Sequence, residues 1–267
     1  MTDTVLTGNP LRDPKKIARK YLAIALFAAI VLYIGDVIII DGTDWARMGS
    51  VDEVIDTMLF FVPDFSFFPE TVIPLLETLL IAFWGTALAV IFSLPIAYLA
   101  ARNITPFPWI TYPLGRCMIV LSRSTHEIIF ALIYISALGL GPLPGILALA
   151  SRSLGFMAKT TSEAIENANK GPIEAMEAVG ANRATIFFFG VMPQIFPIFV
   201  GNMIFQLDIN IRRASILGLV GGGGIGLMFA EVMQNLQYDR AGMIVVGITA
   251  MVVLGEFISN RIRQRLV

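Results

Sequence analysis

Gly171-Pro172-Ile173-Glu174-Ala175-Met176-Glu177-Ala178-Val179-Gly180 is a short segment between two long apolar runs, and it reads as a helix whose two ends are written locally. Pro172 suits the first helical position, where its missing N–H is not needed, and Gly180 suits the left-handed position after the last turn. Glu174, expected in the first turn, lies toward the positive end of the helix dipole. At 1.5 Å per residue such a helix is about 12 Å long, too short to stand alone in water. It needs a surface to dock on, which implies a protein partner.

The chain around this segment is not built for water. Of 267 residues, 56% are hydrophobic and only 15% charged, against about 25% charged in an ordinary soluble domain. Roughly twenty apolar residues cross a bilayer as a helix. On that template, spans are expected near Tyr21 to Ile40, Val72 to Ala101, Met118 to Leu138, Gly145 to Thr161, Ala184 to Leu207 and Ala241 to Ser259. The stretch from Ala214 to Phe229 is also apolar, but Gly221, Gly222, Gly223, Gly224 and Gly226 would cost a regular helix about 1 kcal/mol each. It reads better as a re-entrant or broken segment. The fold class is therefore an all-α integral membrane protein of about six spans.

Orientation follows from the basic residues, which favour cytoplasmic loops. Six crossings place Lys15, Lys16, Arg19 and Lys20, then Arg102 and Arg116, then Arg261, Arg263 and Arg265 on the cytoplasmic side. Asp41, Asp44, Asp52, Glu53, Asp56, Asp64 and Glu70 are then left outside, with both termini cytoplasmic. Between Asp41 and Glu70, acids alternate with Val51, Val54, Ile55, Met58 and Leu59 at helical spacing. That pattern suits an interfacial helix, or equally a core-packing one. The near-zero net charge gives no reason to expect a nucleic-acid partner. With one cysteine (Cys117) and one histidine (His126), neither a disulfide nor a Cys/His metal cluster can form within the chain.

Glu174, Ala175 and Met176, then Gly180, then Met192 and Pro193 resemble the EAA loop of ABC importer permeases, with Met176 and Met192 standing where the consensus has Ala and Leu. A capped surface helix between two spans is the plain alternative. The likeness extends from about Pro69 to Arg263. Glu77-Thr78-Leu79, Gly85-Thr86, Ala101-Arg102-Asn103, Gly139-Leu140-Gly141-Pro142, Asn210-Ile211-Arg212 and Leu217-Gly218-Leu219-Val220-Gly221 are similar to the phosphonate-type permeases of that class. The resemblance implies a methionine-permease-like fold of five core spans with an additional N-terminal one. Residues 1–70 would be tail, first span and periplasmic interfacial segment, and 71–267 the permease core. It also implies a homodimer in the bacterial inner membrane, a cytosolic ABC ATPase dimer that carries ATP and Mg, and a periplasmic or lipid-anchored substrate-binding protein. No cofactor and no catalytic residue are expected on this chain itself. The coupling residues would be Pro172, Glu174, Ala175, Met176, Glu177, Ala178, Gly180 and Pro193. One departure stands out: His126 occupies the proline position of the family's Arg, two residues, Pro, Glu pattern, between Arg123 and Glu127.

Charge inside a span costs at least about 2.5 to 3.5 kcal/mol, so each such residue is a functional candidate. Arg152 lies about seven residues into the fourth span and is expected to face a polar cavity or a partner. Arg123 and Glu127 are spaced to pair on one helix face. Arg212 and Arg213 are expected near the periplasmic end of the fifth span, snorkelling or guiding the anionic cargo that the resemblance implies. Gly221 to Gly224 are not followed by Gly-Lys-Ser or Gly-Lys-Thr, so nucleotide binding is poorly supported. The resemblance puts them near a periplasmic gate and the dimer contact. Two competing readings are an importer permease for an amino acid, metal chelate or quaternary amine, and an intramembrane enzyme using His126 and Glu127.

Overall fold

The computed structural model describes residues 14–45 and 49–264, and all regular structure among them is helical. The chain forms two compact units, Met1–Met58 and Leu59–Val267. In the first, α1 (Pro14–Gly35) runs into a π-helical stretch, Asp36–Asp41, and the segment Ile17–Asp41 is long and apolar enough to cross a membrane. Lys15, Lys16, Arg19 and Lys20 lie in the opening turns of α1 rather than in a tail, since lysine and arginine are good helix formers. Within the acidic segment Val51–Leu59 is α-helical (α2), with exposed Val54, Ile55, Met58 and Leu59, and Glu70 lies in the first turn of the next long helix.

The second unit opens with a 3₁₀ turn, Phe65–Phe67, capped by Asp64. The Ser66 hydroxyl and backbone N–H both donate to this carboxylate and hold it below the usual aspartate range. There follow α3 (Phe68–Ala100), α4 (Thr111–Ser124), α5 (Glu127–Leu138), α6 (Pro142–Glu166), α7 (Lys170–Ala178), α8 (Arg183–Thr185), a π-helical stretch (Ile186–Val191), α9 (Met192–Gly218), α10 (Gly224–Gln234) and α11 (Tyr238–Arg263).

Among the described residues, four segments have the length and apolarity of a span: Ile17–Asp41, Phe65–Ala100, Arg183–Gly218 and Tyr238–Arg263. The expected single span from Met118 to Leu138 is instead two helices, α4 and α5, meeting at 90°. Thr125 and His126 between them are extended (ψ 134° and 147°), a bend that apolarity alone does not reveal. α6, with 25 residues, is long enough to cross but carries Arg152, Lys159, Glu163 and Glu166. It packs among α3, α4, α5 and α9. α9 continues through Gly218 instead of ending at Leu207, and α11 runs to Arg263; Arg265 lies outside the described residues.

Lipid chains are as apolar as leucine, so helices in a bilayer associate through close packing and polar contacts rather than through the hydrophobic effect. The core shows both. Ala82, Ala131 and Ala148 are fully buried with Leu149 and Leu217. Beside them Thr86 of α3, Ser153 of α6 and Gln206 and Asn210 of α9 form a buried hydrogen-bond network. The Asn210 amide donates to Thr86 Oγ1 and Ser153 Oγ at 2.9 Å, and the Gln206 amide donates to Ser153 Oγ at 2.8 Å. At the end of α9 the chain doubles back through the glycine run. Gly221, Gly223 and Gly224 have φ of +98°, +81° and +68°, a backbone region that suits glycine. α10 then returns with Gly226 against the Ser215 carbonyl and Gly218 of α9. The segment is thus broken within its glycines. Thr78 of α3 fixes the return by accepting the Ile225 N–H at 2.8 Å.

Two substitutions test these contacts. Gly226→Val places methyl groups on the α9 backbone and should abolish recovery of monodisperse protein in detergent, read by size-exclusion chromatography. Asn210→Leu fills the same space but removes the amide that joins Thr86 to Ser153 and Gln206. It should lower unfolding free energy by roughly 1 to 2 kcal/mol, measured by denaturant unfolding in micelles; an unchanged midpoint would show that the network adds nothing.

Candidate functional site

Two features stand out, one at the end of the bundle that carries α7 and one between the helices. α7 is set by its caps. Asn169 Oδ1 accepts the Gly171 N–H at 3.0 Å, so the helix starts at Lys170 and Pro172 is its third residue, not its first. A proline still costs little there, because the first four N–H groups of a helix have no intrahelical partner. Glu174 accordingly falls in the second turn. At the other end Gly180, φ +76°, donates to Glu177 O and Ala181 donates to Met176 O, each at 3.0 Å. This paired arrangement closes a helix on a left-handed glycine.

No residue of α7 is buried. Ile173 and Met176, three apart and so on one face, are half-buried against Gly190 of the π stretch. Pro172, Glu174, Ala175, Glu177, Ala178 and Gly180 are exposed, as is Pro193 at the start of α9. Gln194 of α9 grips the start of the loop: its Oε1 accepts the Asn169 N–H at 2.9 Å, and its Nε2 donates to Gly190 O at 2.6 Å and Asn169 O at 3.3 Å. Arg183 donates to the carbonyls of Thr105 and Pro106, both at 2.9 Å, which ties the far side of the loop to the α3–α4 connection. Sequence reasoning missed Asn169, Gln194 and Arg183. Asn169 carried a readable signal, an amide side chain directly before a helical run.

The second feature centres on Glu127, whose side chain is 8% exposed. Its carboxylate lies 3.2 Å from Arg213 Nε and 3.9 Å from Arg152 Nε. One acid on α5 thereby meets a guanidinium from α6 and another from α9. The expected Arg123–Glu127 pair does not form. The break at Thr125-His126 puts the two residues on different helices, and Arg123 is exposed in the last turn of α4, where a cation suits the dipole. Arg213 is not a snorkelling residue after the span but a half-buried one inside α9. Arg212, its neighbour, pairs with the nearly buried Asp208 at 2.7 Å. Arg152 stands about 15 Å along α6 from Pro142.

His126 Nδ1 is 3.7 Å from the same carboxylate, but it also accepts the Ile128 N–H at 3.4 Å. His126 thereby caps the start of α5. Its φ of −73° lies in the range that proline adopts. Gly221 to Gly224 lie at the opposite end of α9 from α7, where Gly221 O accepts the Gly141 N–H at 3.0 Å.

Comparison with known proteins agrees with this architecture. Residues 93–267 match the family model described as "Binding-protein-dependent transport system inner membrane component". The chain is 38% identical over 202 residues to the phosphite transport system permease protein PtxC of Stutzerimonas stutzeri, covering 76% of this chain and 73% of that protein. It is 40% identical over 191 residues to the phosphate-import permease protein PhnE of Mycolicibacterium smegmatis, covering 72% of this chain but only 36% of that longer relative. A solved inward-facing structure of the MetNI methionine ABC transporter superposes with a TM-score of 0.64, covering 74% of this chain and 96% of the other at 22% identity, a likeness of fold. With its apolar helices, its capped α7 between α6 and α9, and a family match over most of its length, the chain belongs to the binding-protein-dependent transport system inner membrane components, multi-pass proteins of the inner membrane.

Proposed function

We propose that this chain is the permease subunit of an ATP-driven importer for a phosphorus oxyanion such as phosphonate or phosphite. The observation that carries the transport reading is α7, a capped nine-residue helix with an exposed outer face, clasped at its start by Gln194. A helix this short, packed on the bundle along Ile173 and Met176, offers its outer face to another protein. In this reading a cytosolic ATPase dimer holding ATP and Mg grips Pro172, Glu174, Ala175, Glu177, Ala178 and Gly180, with Met176 and Pro193 setting the helix on the bundle. Hydrolysis belongs to that partner. Two copies of the chain enclose the path, a periplasmic or lipid-anchored binding protein delivers the solute, and six spans leave both termini cytoplasmic. The core begins near residue 71, after the tail, first span and interfacial segment of residues 1–70.

Support for the cargo comes from two directions. The relatives just described carry the names phosphite and phosphate permease, and the charged cluster is rich in guanidinium groups, which pair well with phosphorus oxyanions. Arg152 and Arg213, with Arg212 and Arg123 at the edges, would guide the anion, and Gly221 to Gly224 would form the outer gate. An importer for another small solute would share α7, because that helix addresses the ATPase and not the cargo.

Coupling can be tested at Gly180, whose left-handed backbone costs a β-branched residue about 1–2 kcal/mol. Gly180→Val and Glu174→Lys should leave the permease in the membrane yet reduce uptake of phosphite or methylphosphonate by an order of magnitude; unchanged uptake in both variants refutes the assignment. Arg152→Ala should lower uptake at equal membrane abundance, and normal uptake would remove Arg152 from the path.

A further inference from the structure

The intramembrane cluster does not balance. Arg152, Arg212 and Arg213 face two carboxylates, Glu127 and Asp208, and Asp208 is taken up by Arg212. Glu127 is therefore shared between two guanidiniums, and the cluster holds one positive charge in excess. Arg152 and Arg213 each approach Glu127 through Nε, make no other ion pair among the described residues, and keep 23% and 27% of their side chains exposed. A charge excess at membrane depth calls for an anion from outside the chain. Guanidinium groups take carboxylate and phosphorus oxyanion in the same forked manner, so the two can compete for one seat.

The position of Glu127 suits such a competition. It is the first residue of α5, directly after the two extended residues at which the chain turns by 90°. Rotation about Thr125 and His126 would withdraw the carboxylate without unwinding a helix. The contacts it would give up are those that join α5 to Arg152 of α6 and Arg213 of α9.

We propose that Glu127 is a resident substitute for the transported anion: it occupies Arg152 and Arg213 in the empty permease and yields them to an arriving phosphorus oxyanion, which frees α5 to move. This rests on the importer reading above and adds to it an exchange of counter-charges as the event that reports occupancy. No proton transfer is required. The anion and the carboxylate trade places on the same two cations.

The test is equilibrium binding of radiolabelled phosphate, phosphite and methylphosphonate to the full-length chain in lipid nanodiscs. Glu127→Gln removes the competing charge and should tighten binding of at least one of these anions tenfold or more. Glu127→Asp keeps the charge on a shorter arm and should tighten it two- to threefold, which provides a readout if the amide variant is not recovered. Arg213→Gln should weaken binding tenfold. Equal or weaker binding in Glu127→Gln, or no binding in either it or the wild type, overturns the exchange. Uptake by cells that also express the ATPase and binding protein separates the two readings. Uptake without any affinity gain in the Glu127 variants refutes the exchange alone, whereas absence of uptake for all three anions refutes the cargo assignment.

Discussion

A carboxylate inside a bilayer is tolerated only with cations in contact, and meeting that requirement at Glu127 aligns three helices. Arg152 comes from α6 and Arg213 from α9, so the axial positions of both relative to α5 are fixed once their guanidiniums reach one acid. The turn at Thr125-His126 follows from the same need. A straight helix from Met118 to Leu138 would have paired Glu127 with Arg123 on its own surface; the bend turns it inward to its neighbours.

Below the charges, a second polar layer reinforces the alignment without carrying any charge. Thr86, Ser153, Gln206 and Asn210 exchange hydrogen bonds among α3, α6 and α9, where every donor left alone would face hydrocarbon. Alanine and glycine let the backbones come close enough for such short side chains to meet. The outer faces of the same helices show the opposite chemistry, with Ile73, Leu80, Phe83 and Trp84 of α3 exposed, as suits lipid contact.

Much of this was legible in the residues. Apolar length marked the first, second, fifth and last spans, and the glycine run marked the place where the chain turns back at Gly218. Gly180 announced a left-handed helix end, and its φ of +76° is that conformation. Less visible were features that depend on partners distant in the chain. Nothing near Glu127 points to Arg213, and nothing near Asn169 points to Gln194, because spacing rules describe neighbours on one helix and not contacts between helices. The start of α7 was misplaced by two residues for a local reason: the Asn169 cap outranks proline as a helix opener, since it satisfies a donor whereas Pro172 merely lacks one.

The π-helical stretch Ile186–Val191 sits where α7 and α8 hand over to α9. A π turn holds about one residue more than an α turn, and each residue of an α-helix advances its direction by about 100°. The bulge therefore stores one residue that an α turn could not hold, and so buffers the orientation of what lies upstream. Loss of one phenylalanine from Ile-Phe-Phe-Phe-Gly-Val would be absorbed by reversion of that turn to α geometry, leaving the Ile173–Met176 face against Gly190, whereas the same loss from a plain α turn of α9 would rotate everything upstream by about 100°.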